Sequence, residues 1–424
     1  MERVGDKVSG VPATMWERNC FLERTMDLIL TSHAGSLPRT ERLIEANQAD
    51  LGVKDPEAYA EILTDEVAAV VAKQREIGID IVNDGEYGKF MSKSVDYGAW
   101  WSYSFARTGG LEIVEGDDAW LNKVHHSTPD DIQLAGFAQR RDMNRFINAY
   151  FGPEATVAMG DSAGVQPTAT GPIAYIGQDA VAADAKNLTA ALAKAGRPAD
   201  TGFITAIAPG SASRISNAYY KNEEDFIKAW VPVLREEYKA ILDAGLFLQI
   251  DDPSLAESYD QITPEIDPKD YVRFIRTRID AVNEALEGLD RSRVRYHLCW
   301  GSWHGPHTTD LEFEHIADAM LDIDVAQYTF EAGNVRHEHE WRVWENRDLG
   351  GRKILPGVVS HATNVVEHPQ LVADRLIRFA NLVGAENVIA SSDCGFGGRI
   401  HPDIAWAKLD TLVKGTQLAN EQLS

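Results

Sequence analysis

Eight short runs rich in aliphatic and β-branched residues recur along this chain, and helical stretches separate most of them. The runs are Asp27–His33, Asp80–Gly85, Gly202–Ala208, Leu246–Asp251, Val294–Cys299, Val325–Glu331, Ile354–His361 and Asn387–Ser392. Between them lie amphipathic patterns such as Pro56–Ile77, Glu223–Ala244, Lys269–Glu287 and His368–Val383. In the last of these, Leu371, Leu376, Ile377, Phe379 and Leu382 recur with helical period. Parallel strands cannot be joined by a tight turn, so strand–helix alternation specifies a parallel sheet with crossover helices. Eight such units predict an α/β fold, a TIM (β/α)8 barrel, as a single domain over residues 1–424. Residues 87–201 are too long for one βα unit. They hold Trp100-Trp101, an acidic patch at Glu115–Asp118, a helical Gln133–Tyr150 and a hairpin-like Thr168–Gly177. They read as an insertion between strands two and three that covers the barrel mouth, and residues 1–25 read as an N-terminal arm.

In such a barrel the chemistry comes from the C-terminal ends of several strands. His297 and Cys299 end strand five, Glu331 ends strand six and Cys394 follows strand eight. Further polar residues end strand one (Ser32, His33, Ser36), two (Asp84, Glu86), four (Asp251, Asp252) and seven (His361, Asn364). A free cysteine often behaves as a small buried hydrophobe, so His297-x-Cys299 alone says little. Cys394, set before Gly395-Phe396-Gly397-Gly398, adds to it, because a glycine-rich strand exit lets backbone yield to a bound group. Residues i and i+2 of a strand face one side, so His297 and Cys299 address one point. One imidazole, two thiolates and a carboxylate are ligands of the kind zinc accepts. Core packing does not explain that convergence. His337 and His339 read as supporting hydrogen-bond partners, Trp341 and Trp344 as packing, and Cys20 as inert. Asp251 and Asp252 point to opposite sides, so one of them is structural.

The balance of 41 Lys+Arg against 65 Asp+Glu gives a net charge of -24, which repels phosphate backbones and anionic lipid. Nucleic-acid and membrane roles are therefore not expected. No apolar stretch approaches membrane-spanning length, and the N-terminus lacks the apolar core of a signal peptide. Three cysteines cannot build a disulfide framework, which suits a cytoplasmic protein.

Ser32-His33-Ala34-Gly35-Ser36-Leu37-Pro38-Arg39, Asp84-Gly85-Glu86, Gln249-Ile250-Asp251-Asp252-Pro253, His297-x-Cys299, Glu331, His361-Ala362-Thr363-Asn364 and Asp393-Cys394-Gly395 follow one another in this order. Together they resemble the catalytic barrel of cobalamin-independent methionine synthase, from about residue 27 to residue 398. The chain is most similar to the short members that lack the duplicated N-terminal barrel, whose relatives include the epoxyalkane:coenzyme M transferases. The resemblance implies that His297, Cys299, Glu331 and Cys394 bind Zn2+. It implies that Ser36, Glu86 and Asp251 hold the amino-acid part of homocysteine, with His33 and Asn364 in the same phrases, and that His361 sits near the methyl-transfer centre.

The expected activity is zinc-dependent methyl transfer to a small-molecule thiol, homocysteine to methionine, from a methyltetrahydrofolate-type donor. Zinc deprotonates a coordinating thiol and so supplies the nucleophile. Glu331 is the expected exchangeable ligand, and His361 or Asp252 the expected proton source for the leaving group. The two carboxylates Glu86 and Asp251 favour a thiol bearing an ammonium. The loop after Cys299, with Trp300, Trp303, His304 and His307, is placed to line a donor pocket. Two other readings keep the zinc. One changes the electrophile to an epoxide, methylcobalamin or another methylated small molecule. The other is a non-catalytic zinc- or thiol-binding barrel. A homo-oligomer is compatible with all three.

Overall fold

A computed structural model describes residues 29–46, 56–89, 99–114, 122–157 and 166–424. The expected N-terminal arm, Cys20 and the acidic patch at 115–118 lie outside the described residues. Eight parallel strands form the central sheet: β1 (Leu30–Thr31), β2 (Val82–Asn83), β3 (Gly202–Ile207), β4 (Phe247–Asp251), β5 (Val294–Leu298), β6 (Gln327–Glu331), β7 (Lys353–Val359) and β8 (Ile389–Ser392). Their spatial order is β1-β8-β7-β6-β5-β4-β3-β2. The two ends of that order meet where Thr31 O accepts from Asp80 N at 3.2 Å and Ile81 N at 3.0 Å, which closes the ring. The (β/α)8 barrel expected from the alternation is the architecture found.

The outer layer consists of α1 (Pro56–Ile77), α2 (Gln178–Lys194), α3 (Glu223–Asp243), α4 (Pro268–Ala285), α5 (Phe313–Leu321), α6 (Pro369–Val383) and α7 (Pro402–Leu423). Between β6 and β7 a 3-10 helix, Glu338–Trp344, takes the place of an α-helix. The helix starts follow from local chemistry. Asn222 caps α3 by accepting from Asp225 N, and Asp267 caps α4 by accepting from Lys269 N. Proline opens α4, α6 and α7, where a missing N–H costs nothing.

Strands facing helices on one side and a filled interior on the other are buried throughout, as β3, β5 and β6 are. The interior includes a polar layer. Arg295 donates to Ser32 Oγ and His33 O, and Gln249 donates to Ala34 O. These bonds tie β5 and β4 to the exit of β1.

The segment between β2 and β3 differs from its expected form. Residues 178–194 are α2, which packs against α1 and α3 as a barrel helix, so the added portion ends near residue 177. Thr168–Gly177 does not fold on itself: Thr168–Tyr175 is one strand, paired antiparallel with Thr108–Glu112. Gln133–Tyr150 is broken into a 3-10 turn and two short helices, Arg141–Arg145 and Ile147–Phe151. Its side chains are drawn to loop partners instead of to a continuous helical face; Asp142 Oδ1, for example, accepts from Thr308 N and Thr308 Oγ1. Among the described residues no helix is long and apolar enough to cross a membrane.

One buried ion pair fastens the last helix to the mouth. Lys408 on α7, its side chain 0% exposed, donates to Glu367 Oε2 at 2.8 Å, and Glu367 Oε1 accepts from Ser360 N, next to His361. Removing one partner of a buried pair leaves an uncompensated charge and costs about 3–5 kcal/mol. Lys408→Met is therefore expected to lower unfolding stability in urea by about that much. Adding Glu367→Gln is expected to recover part of the loss, and a single-variant loss below about 1 kcal/mol would contradict this role.

Candidate metal centre and substrate pocket

Register builds the site. Asp251, His297 and Thr329 stand side by side across β4, β5 and β6, and Glu331, Gly357 and Ser391 do so across β6, β7 and β8. The i, i+2 alternation then carries Cys299 to the side of His297. Cys394 arrives from the turn after β8. That turn comes close because position 357 is glycine: a Cβ there would lie 2.4 Å from Asp393 Cα.

His297, Cys299 and Cys394 are buried, and their candidate ligand atoms lie within 4.8 Å of one another. Neither ring nitrogen of His297 has an oxygen or nitrogen partner; the Cys394 thiol faces it instead. A buried imidazole left without partners is costly, and a cation resolves that cost. The donor set, one nitrogen and two sulfurs, is one that zinc accepts. The hydrogen bond from Cys299 holds the Cys394 thiol well below the usual range, against burial and with help from Arg399, His297 and His361. Cys299 is pushed up by the same contact and by burial.

Glu331, His361 and Asp393 form a neighbouring buried group, also within 4.8 Å of one another. Three of the four expected ligands therefore converge, while Glu331 stands in the adjoining group, close enough for its charge to act on His297 and Cys299. Its oxygens accept from Trp300 N and Asn334 Nδ2, each at 3.0 Å. Asp393, which sequence reasoning left unassigned, accepts from Ala332 N and Gly333 N at 2.8 Å through Oδ1 and keeps Oδ2 unpartnered. The only signal for it was its place beside Cys394. Both ring nitrogens of His361 are unpartnered, and burial, outweighing Cys394, lowers its pKa to about 3 and keeps it neutral.

Beside these groups lie Ser36, Glu86 and Asp251, all buried, with Asp251 in register with His297. Ser36 O accepts from Phe396 N and Gly397 N, which docks the β1 exit on the Cys394 turn. Lys89, also unassigned from sequence, is buried beside Glu86.

Three sequence expectations are redirected. Asp252 is 0% exposed, and its oxygens accept from the hydroxyls of Ser211, Ser254 and Tyr296. Its carboxylate is engaged by three hydroxyls, the environment of the structural member of the Asp251-Asp252 pair. His33 bonds Gln74 Oε1 at 2.9 Å and Gly35 N at 3.3 Å, and burial lowers its pKa to about 4. A neutral ring with both nitrogens engaged belongs to the core. Asn364 is exposed on the loop after β7. Of the rings expected at a donor pocket, Trp300 stacks on His337 at 3.9 Å, and Trp303 stacks on His307 at 4.2 Å while donating to Tyr150 Oη.

Behind Glu331, His337 presents one nitrogen to Asp310 Oδ2 at 3.0 Å and the other to Glu340 Oε2 at 2.8 Å. Burial opposes a charge there, but the two carboxylates prevail and raise the pKa to about 10. His307 meets the same Asp310 oxygen at 2.9 Å, and against burial its pKa rises to about 9. The two imidazoliums overcome burial at Asp310 and hold it at about 2.

The model of the family "Cobalamin-independent synthase, catalytic domain" matches residues 131–417. The uncharacterized protein YxjH of Bacillus subtilis is 23% identical over 397 residues, spanning 89% of this chain and 91% of that protein. A methionine synthase of Thermococcus kodakarensis is 23% identical over 404 residues, spanning 94% and 96%. Among solved structures, a B12-independent methionine synthase from Shewanella sp. W3-18-1, in complex with selenomethionine, superposes with a TM-score of 0.67 at 19% identity, covering 93% of this chain and 99% of that one. That likeness establishes the fold.

The His337 pKa is higher in the folded chain than its unfolded value of 6.5, so its stabilisation is full below pH 6.5 and disappears as pH rises through about 10. His337→Gln is expected to cost about 3–5 kcal/mol at pH 6. The loss should shrink steadily toward pH 10 in unfolding titrations, and a loss independent of pH would contradict the imidazolium assignment.

Proposed function

The chain belongs to the cobalamin-independent methionine synthase family, and from that premise we propose that it methylates the thiol of homocysteine, using zinc and a methyltetrahydrofolate-type donor. The observation that carries this reading is the buried convergence of His297, Cys299 and Cys394, with both His297 nitrogens unpartnered by nitrogen or oxygen. Those three residues would hold the metal, and Glu331, in the adjoining group, is the fourth and exchangeable ligand. Bound there, zinc supplies the charge that keeps a substrate thiol deprotonated at neutral pH.

The chain's own residues do the rest. Trp300 N and Asn334 Nδ2 hold the Glu331 oxygens, so this carboxylate would keep its partners with or without a bond to the metal. Glu86 and Asp251 draw the ammonium of homocysteine to the wall beside His297. The thiolate attacks the methyl carbon: a sulfur–carbon bond forms, the carbon–nitrogen bond breaks, and its electron pair returns to the donor nitrogen, which takes a proton. His361, neutral and with both nitrogens unpartnered, is the group placed to take the proton that the substrate thiol gives up and pass it to the donor nitrogen, because the Asp252 carboxylate is engaged by hydroxyls. The stretch from Arg140 to Phe151 holds the loop after Cys299 over the mouth, through Asp142 to Thr308 and Tyr150 to Trp303.

Zinc-loaded protein is expected to convert homocysteine to methionine with methyltetrahydrofolate bearing one or three glutamates, read by mass spectrometry. His361→Gln is expected to lower kcat by about 10²–10⁴ with KM little changed. Absence of methionine with either donor would overturn the assigned reaction, and an unchanged kcat in His361→Gln would remove that residue from it.

A further inference from the structure

The two oxygens of Glu331 are held by Trp300 N and by Asn334 Nδ2, and His337 contacts both of those partners. Its ring stacks on the Trp300 ring, centroid to centroid at 3.9 Å with the planes 22° apart. Its backbone N–H donates to Asn334 O at 2.9 Å. Trp300 is fixed from its indole nitrogen as well, where Nε1 donates to Leu311 O at 2.7 Å. His337 is therefore one step from Glu331 by two separate routes.

His337 is itself clamped. Its ring nitrogens face Asp310 Oδ2 and Glu340 Oε2, and an ionised carboxylate only accepts, so both nitrogens donate. Glu340 Oε1 accepts in turn from Phe313 N, at the start of α5. On the other side of Asp310, His307 donates to the same Oδ2 and to Trp303 O at 3.0 Å. His307 takes a φ of +55°, a left-handed conformation uncommon outside glycine. Such backbone persists where surrounding structure enforces it, and it clusters at ligand sites. The array thus ties the exit of β5, which carries Cys299, to the exit of β6, which carries Glu331.

Stability alone does not call for four buried ionisable side chains here, because a buried ion pair contributes little that well-packed apolar groups would not. Metal ligands, by contrast, depend on the groups that orient them. We propose that His337 is a positioning residue for the exchangeable ligand: clamped between Asp310 and Glu340, it fixes Trp300 and Asn334, and through them the place of Glu331 beside the metal. This rests on the reading of Glu331 as the fourth zinc ligand. His337 acts only through Glu331 and takes no part in methyl transfer.

The test is the zinc affinity of the full chain, by competition with a chromogenic chelator, in a double-mutant cycle of His337→Gln and Glu331→Ala. Alone, His337→Gln is expected to weaken zinc binding about tenfold or more, the scale of losing a group that orients a ligand. In the Glu331→Ala background the same change is expected to weaken it by less than about twofold, since the residue it positions is gone. Saturating homocysteine, whose thiol takes the place of Glu331, is expected to shrink the single-variant loss in the same way. A merely structural role would weaken zinc binding equally in both backgrounds and regardless of homocysteine. Either that result or an unchanged affinity in His337→Gln would overturn the assignment. Should His337→Gln not fold, Glu340→Gln, which keeps the side chain's shape and loosens one clamp, goes through the same cycle. No loss of zinc affinity there, or an equal loss in both backgrounds, overturns it. If wild type binds no zinc, or Glu331→Ala binds it as tightly as wild type, the metal reading falls and this inference with it; if Glu331→Ala weakens zinc binding and His337→Gln does not, only this inference falls.

Discussion

Parallel register governs the mouth of this barrel. Because β4, β5 and β6 align Asp251, His297 and Thr329 on one rung, the carboxylate wall and the metal-ligating edge come to face the same space. Two residues further along, Glu331, Gly357 and Ser391 form the next rung, and Gly357 lets the Cys394 turn close over it. A slip of one residue in any of these strands would turn its polar group into the helix layer. The buried cost of so many polar atoms can be met only if they meet one another or a ligand.

Most of them do meet one another. Asp310 is shared by two imidazoliums, Asp252 by three hydroxyls, and Asp393 Oδ1 by two backbone N–H groups. Arg140 and Arg214 both bind Glu257, and the added segment is thereby locked to the β4 loop. Among the buried atoms left unpartnered, both nitrogens of His297, both of His361 and Oδ2 of Asp393 are gathered in one place, around Cys394. A bound cation would meet the cost of such a gathering.

Much of this was legible in the sequence. All eight strand runs overlap an observed strand, because buried parallel strands and amphipathic helices leave distinct periodicities. Pro56–Ile77 matches α1 residue for residue, since proline opens it and Gly78 ends it. That His297 and Cys299 face one point was readable from strand alternation, and Cys394 and Glu331 were needed to make it a candidate site. What alternation cannot show is which partner a side chain finds. His33 and Asp252 sit at strand ends like the site residues, yet Gln74 claims one and three hydroxyls the other. Lys89 and Asp393 escaped notice because their types are ordinary on a surface, and only burial makes them significant. The segment after β2 was misread in detail because its pairing partner, Thr108–Glu112, lies far away in sequence.

The central claim is that His297, Cys299 and Cys394 hold a zinc ion that a substrate thiol can reach. X-ray absorption at the zinc edge, with metal content measured before and after homocysteine is added, tests it most directly. The account predicts one zinc per chain with two sulfur ligands, gaining a third sulfur and losing an oxygen when homocysteine binds. A chain that purifies and refolds without zinc, or a site whose ligands do not change with any thiol, would contradict it.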